Sequence, residues 1–404
     1  MGLHRHLVSA SVLLTLCVHC AVDDHNGVAP SSFESTVAGG SVNGGNSGGS
    51  KTAAASGKSG GIGGFSSSTA GRADAGSGGI IESGGTQNRA GAEAGGASSG
   101  AGGAATTTCG TRTTQRGKTS RSVMVAGTAR TFIAYLPSSL NPATPVPLVY
   151  VFHGATQTGA NMYEMTEYAA LADKENIAVV FPDGQGTSSA TGAGNLAPWH
   201  VSDGAALCGL GTLVNNLNDI DFPFLDGIRA EIQTDQCVDA AHVFATGFSM
   251  GGYFSHHIAC DRPDFRAAAP HSGATMADLS SCKSKHVPMI IFHGLADTLI
   301  SAACSDPNLP EQTGFPAAAT LWAKKNGCQN TYQTVAEPGP MPGKNGNCYL
   351  YDGCPPDGQV ELCTFADMPH AWAGAASCPG CIGSGAGYAS ATQLEWDFFK
   401  KYAW

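Results

Sequence analysis

The sequence is short of charge. Asp, Glu, Lys and Arg make up only 13% of its 404 residues, the formal net charge is −10, and no run of basic residues occurs. Such a chain lacks the electrostatic footprint for a polyanion, so nucleic acid is excluded as an expected partner. A neutral or insoluble substrate suits it better. Long apolar runs are equally scarce. The run at the start, Leu7–Ala21, is too short to span a bilayer comfortably, and no later stretch reads as a transmembrane segment. Residues 22–108 carry almost no aromatics and consist mainly of Gly, Ser, Ala and Thr. A segment of that kind cannot bury enough apolar area to offset the entropy of ordering it. Beyond the leader, Cys378-Pro-Gly-Cys381 has no second Cys-x-x-Cys with which to complete a zinc site.

What is present falls into three parts. Residues 1–21 read as an export signal, with Arg5 between His4 and His6 ahead of the apolar run. Cys17 or Cys20 could carry a lipid, although Leu16 and His19 stand where a small residue is usual; the alternative is a plain secretory signal cut near Cys20–Ala21. Met1-Gly2 lacks Ser or Thr at position 6 and so does not fit myristoylation. Residues 22–108 read as a disordered linker, very roughly 50 Å end to end if random. It is either a tether or a spacer. Residues 109–404 are long enough for one large core and read as the catalytic domain.

Setting aside the two cysteines of the leader leaves twelve, an even number. With export, that argues for disulfides over free thiols. Cys237 precedes an apolar strand and Cys260 ends the helix running back beside it, so a Cys237–Cys260 bridge is expected, worth ~3 kcal/mol for a loop of this size. Cys378-Pro-Gly-Cys381 could be a redox or half-zinc motif, but an oxidising compartment favours a structural role. Neither metal nor cofactor is expected.

The order of elements predicts an α/β fold. Ser122–Ala126 and Ala129–Leu136 flank Gly127-Thr128 as a hairpin. Pro147–His153 and Ile177–Pro182 are continuous apolar runs, as for strands buried on both faces. Asn161–Asn176 and Phe222–Ile232 carry helical patterns, and further strands are expected at Ala267–Pro270, Val287–His293, Tyr349–Asp352 and Val360–Phe365. Leu321–Asn326 lies in a helical stretch and Thr392–Tyr402 closes the chain as a helix. Strands alternating with helices imply a mostly parallel sheet covered on both faces, with its site beyond the carboxyl ends of the strands.

The chemistry centres on Cys237 to Cys260, CVDAAHVFATGFSMGGYFSHHIAC. Ser249 sits in Gly247-Phe248-Ser249-Met250-Gly251, between an apolar strand and an apolar helix, which is the context of a nucleophile elbow. The same loose pattern surrounds Ser47, Ser59 and Ser98, but none of those follows a strand. A serine needs a base, and the base an orienting carboxylate. In the hydrolase order of serine, acid and histidine, only His370 follows both Ser249 and the best acid, Asp297. Asp306, Asp352 and Asp367 compete for the acid. The backbone N–H of Met250 and that of Ala155 or Thr156 are the expected oxyanion donors. His153 reads as a packing and hydrogen-bonding residue. Tyr163, Trp199, Tyr253 and Trp372 could line an aromatic-accepting pocket.

The segments CVDAAHVFATGFSMGG, PLVYVFHGATQTG, AVVFPDGQG, PMIIFHGLADTLI and ADMPHAW cover 109–404 in order. Together they resemble the secreted esterases of carbohydrate esterase family 1, feruloyl esterases and polyhydroxybutyrate depolymerase-like proteins. The resemblance implies an α/β-hydrolase fold, a Ser249–Asp297–His370 triad and ester hydrolysis through an acyl-enzyme. The surroundings of Cys237 and Cys260, with Asn326-Gly327-Cys328, look most like the feruloyl esterases. His153-Gly154-Ala155-Thr156-Gln157 looks like the polyester depolymerases, which often carry cysteine where Ala155 stands. A polymeric or oligomeric ester is the expected substrate: feruloyl esters of plant cell-wall xylan first, then polyhydroxybutyrate, then acetylated xylan. The rival from another class is a catalytically dead surface or adhesion protein on the same scaffold.

Overall fold

The computed structural model describes residues 109–186, 194, 196, 198–201, 220–275, 279–300, 317–335 and 346–403. The expected signal (1–21) and linker (22–108) lie outside the described residues, as do Asp306, Cys208 and Cys304.

One ten-stranded sheet forms the centre, in the order β1-β2-β4-β3-β5-β6-β7-β10-β9-β8. Its strands are β1 (Gly117–Val125), β2 (Thr128–Leu136), β3 (Val146–Phe152), β4 (Ala178–Pro182), β5 (Val238–Phe248), β6 (Ala267–His271), β7 (Met289–Gly294), β8 (Tyr332–Val335), β9 (Gly346–Tyr351) and β10 (Val360–Phe365). From β4 to β10 the neighbours run parallel; the two edges are antiparallel. The apolar runs explain the centre, because a strand covered on both faces has no polar side to alternate with. In β3, Leu148, Tyr150 and Phe152 face one core, while Val149 and Val151 face the other.

Helices cover both faces. The first core receives α3 (Asp221–Asp235), α4 (Met250–Asp261) and α5 (Ala317–Asn326), through Phe224, Phe254 and Trp322 among others. The second receives α1 (Gly159–Met165), α2 (Tyr168–Glu175) and α6 (Ala391–Phe399), through Met162, Leu171 and Trp396. This is the α/β-hydrolase arrangement. Among the described residues no helix is long and apolar enough to cross a membrane.

Three local expectations change. The hairpin turns at Ala126-Gly127, not Gly127-Thr128: both have positive φ (48° and 80°), and Val125 pairs with Thr128. A two-residue hairpin loop needs that handedness to match the twist of its strands. The helical pattern of Asn161–Asn176 splits in two, because Thr166 turns its hydroxyl onto Met162 O at 2.7 Å and Glu167 takes φ 57°.

The third change is a correction. Cys237 and Cys260 do not bridge each other. Cys237 pairs with Cys109, and Cys260 with Cys282. The crossover carries α4 away from β3 and over towards β6, as parallel connections require. Cys260 therefore ends beside the β6–β7 connection, where its carbonyl accepts Ser284 N–H at 2.9 Å. Cys237 stays on the β3 side, its own carbonyl accepting Val146 N–H at 3.0 Å. Cys328–Cys354, Cys348–Cys363 and Cys378–Cys381 are the other bridges described.

The second core also holds a carboxyl group. Glu395 is fully buried, and its Oε2 accepts the Tyr168 hydroxyl at 2.6 Å. Burial pushes it well above the usual glutamate range; contacts with Tyr168 and Thr246 pull the other way and do not offset it. A carboxyl raised on folding keeps its proton longer in the native state, so it costs stability as pH rises from the unfolded value towards the native one. A tenfold difference in proton affinity between the two states corresponds to about 1.4 kcal/mol. The melting temperature of Glu395→Gln should therefore fall less between pH 5 and pH 8 than that of the parent. Parallel curves for the two proteins would contradict the buried-carboxyl account.

Candidate active site

Three loops meet at the carboxyl edge of the parallel strands. The first is the turn between β5 and α4. Ser249 alone occupies it, with φ 56° and ψ −116°, a strained backbone for a residue with a side chain. The neighbours show why the chain needs small residues here. A Cβ on Gly251 would stand 2.2 Å from Phe152 O, and one on Gly247 2.5 Å from Gly251 O. The turn is pinned by Ser249 N–H to His271 O at 2.9 Å and by Tyr253 N–H to Ser249 O at 3.0 Å.

The second and third loops leave the adjacent strands β7 and β10. His370 Nδ1 lies 2.7 Å from Asp297 Oδ2. The other carboxylate oxygen accepts Leu299 N–H at 2.9 Å and Ile300 N–H at 2.8 Å. The two loops are stitched together, Leu295 N–H reaching Phe365 O at 2.9 Å and Ala296 N–H reaching Met368 O at 3.2 Å. Burial alone would raise the Asp297 carboxyl, but the hydrogen bond and charge of His370, with Ile300 N–H and His293, hold it below the usual range. The His370 ring packs on Phe248, the residue before Ser249, with centroids 4.8 Å apart.

The loop after β3 comes up against the serine. A Cβ on Gly154 would lie 3.0 Å from Ser249 Cβ. Ala155 is half-buried there, and Thr156 is exposed with φ 63°. That conformation is costly for a β-branched residue, so the surroundings must impose it. Across the gap Met250 is the first residue of α4, where an N–H has no acceptor within the helix. His153 donates from Nδ1 to Gly154 O at 2.8 Å and accepts Gly184 N–H on Nε2 at 2.9 Å. Burial drives its pKa down to about 4, so it stays neutral.

Of the competing acids, the two among the described residues have other partners. Asp367 accepts the Tyr388 hydroxyl at 2.9 Å, and Asp352 accepts from Thr331 and Gln333. The aromatic candidates are closely packed. Trp199, Tyr253 and Trp372 are each at most 2% exposed. Trp199 stacks on Phe254 (5.0 Å) and donates to His153 O, while Trp372 stacks on His271 (4.8 Å). The Tyr253 hydroxyl is turned onto the Ala274 backbone. These rings back the loops of the site. Cys348, Glu361 and Cys363 cluster closely enough to suggest a metal, but both sulfurs are consumed by their bridge.

Two histidines missed by sequence reasoning hold the loops. His271 ends β6, gives its carbonyl to Ser249 N–H, and accepts Ala373 N–H on Nε2 at 3.0 Å. It therefore touches both the serine turn and the His370 loop. His293 donates from Nε2 to Ile300 O at 2.8 Å and closes the turn that contains Asp297. The available signal was a polar ring at the end of an otherwise apolar strand.

The sequence profile of the family described as "Putative esterase" matches residues 124–339. The chain belongs to that family. Its relatives include feruloyl esterase C of Emericella nidulans, 29% identical over 213 residues that cover 50% of this chain and 64% of that protein. Feruloyl esterase B of Piromyces equi is 27% identical over 289 residues, covering 68% of this chain and 45% of that protein. The chain thus spans less than two thirds of the length of these curated relatives. Among solved structures, an acetyl xylan esterase from Aspergillus awamori aligns with 70% of this esterase-family chain and 99% of its own, at TM-score 0.46 and 16% identity.

Proposed function

We propose that the chain is a serine esterase. The observation that carries this reading is the 2.7 Å pair of His370 and Asp297, set against Phe248 beside the strained Ser249. With Nδ1 donating to Asp297, His370 keeps Nε2 as the base. Ser249 Oγ attacks the ester carbonyl carbon and its proton passes to Nε2. Met250 N–H, with Ala155 or Thr156 N–H, receives the developing oxyanion. As the tetrahedral centre collapses, the C–O bond to the alcohol breaks and Nε2 returns the proton to the leaving oxygen. Water then cleaves the acyl-serine by the same steps in reverse.

Feruloyl esters of plant cell-wall polysaccharide are the favoured substrate, supported by the names of the relatives. Polyhydroxybutyrate and acetylated xylan follow. The bridges support secretion, into a compartment where disulfides persist. Side-by-side incubation with methyl ferulate, a hydroxybutyrate oligomer and acetylated xylan tests the substrate. The largest kcat/KM is expected on methyl ferulate; a preference for either of the others replaces the acyl group but keeps the mechanism.

A further inference from the structure

The Cys378-Pro-Gly-Cys381 motif has no part in the chemistry above, yet its turn touches both the His370 loop and the loop after β3. Within the turn, Cys381 N–H donates to Cys378 O at 3.1 Å, and the two sulfurs are joined. Immediately after it, Ile382 N–H donates to His370 O at 2.9 Å. Gly383 lies against Pro369, where a Cβ would be 2.5 Å from the proline ring. One end of the turn is therefore fastened to the histidine loop.

The middle of the turn is fastened to the loop of the oxyanion donors, through Gln157. This side chain is 1% exposed. Its Oε1 accepts Gly154 N–H at 2.7 Å, and its Nε2 donates to Pro379 O. Both ends of the amide are thus committed, and the amide has one orientation. Gly380 makes the approach possible: it has φ 80°, and a Cβ there would stand 2.9 Å from Gln157 Cγ. Gln157 N–H also returns to Gly154 O at 3.2 Å, beside the His153 Nδ1 bond to that oxygen, so Gln157 meets both polar groups of Gly154 and its side chain alone holds the N–H. Ala155 and the strained Thr156 follow directly. Their N–H directions depend on how the Gly154 peptide is set.

We propose that Gln157 is a positioning residue for the oxyanion donors, and that the Cys378–Cys381 turn acts through it. The bridge keeps Pro379 O where the Gln157 amide can reach it. The amide in turn keeps the Gly154–Ala155 peptide facing the site. A device in series makes a specific demand: once Gln157 is gone, the bridge has nothing left to hold in place at that loop.

The test uses the full chain with a small activated ester, and rests on the serine-esterase reading. Gln157→Leu and the paired change Cys378→Ser with Cys381→Ser should each lower kcat about tenfold, below the ~10²–10³ of losing a whole oxyanion donor. KM should stay within about twofold in both. The triple variant should be no slower than the worse of the two. Multiplying losses would overturn the proposal, because independent sites add in free energy. Losses confined to KM or to the melting temperature, with kcat kept, would overturn it as well. If the serine pair does not fold, Gly380→Ala replaces it, since it keeps the bridge and pushes on Gln157 Cγ. A Ser249→Ala control run alongside separates the failures. Activity surviving in that control defeats the serine-esterase reading, whereas an inactive control with multiplying losses defeats only the brace.

Discussion

Ser249→Ala is expected to lower kcat on a small activated ester by ~10³-fold or more, the usual consequence of removing a triad serine. On the proposed mechanism the substitution removes the atom that forms the acyl-enzyme. The remaining activity would come from binding and from N–H groups that still polarise the carbonyl, with water as a poor nucleophile. Stability should scarcely change. Ser249 makes no side-chain cap bond to α4, and alanine can hold φ 56° no worse than serine does. A melting temperature close to the parent, with hydrolysis gone, separates loss of the nucleophile from loss of the fold. Activity within a few-fold of the parent would refute Ser249 as nucleophile, and with it the order of residues that led to His370.

The residues differ in how much they disclose before folding. Buried parallel strands announce themselves, because covering both faces leaves a run such as VPLVYVF with no polar position. The turn at Ser249 was readable for a related reason: glycine two residues either side is required by backbone that passes within 2.2–2.5 Å of where a Cβ would be. The Asp297 to His370 approach was harder. Those residues are 73 apart in the chain, and only the pairing of β7 with β10 makes them neighbours. The expected Cys237–Cys260 bridge failed on handedness, since a helix antiparallel to its strand also moves sideways across the sheet. The tryptophans disclose little for another cause. An indole near a site is a large apolar surface first, and Trp199 and Trp372 fill the space behind the loops. Gln157, His271 and His293 were invisible as a set, because each acts by hydrogen bonds to backbone that no sequence pattern encodes.

Asp297→Asn tests the acid by keeping its shape. Asparagine can still accept Leu299 and Ile300 N–H on one oxygen, so the turn closed by His293 survives. What changes is the group facing His370 Nδ1. An amide nitrogen there donates, so the imidazole must accept on Nδ1 and carry its proton on Nε2. In that tautomer it cannot take the proton from Ser249. Where the same exchange has been made in a serine protease triad, kcat fell ~10⁴-fold with the geometry intact; a loss of that order is expected here, with KM changed much less. Asp297→Ala should be as slow and also less stable, because it leaves Ile300 N–H buried without its acceptor, at ~1–3 kcal/mol. The pH dependence of stability gives a second reading. The Asp297 carboxyl is held below its usual range, so it adds stability above the unfolded pKa and loses it as pH falls through the lower native value. Asp297→Asn should therefore lose less stability than the parent between pH 5 and pH 2. An asparagine variant within tenfold of parental kcat would move the acid elsewhere, with Asp306 and Asp367 the first positions to try.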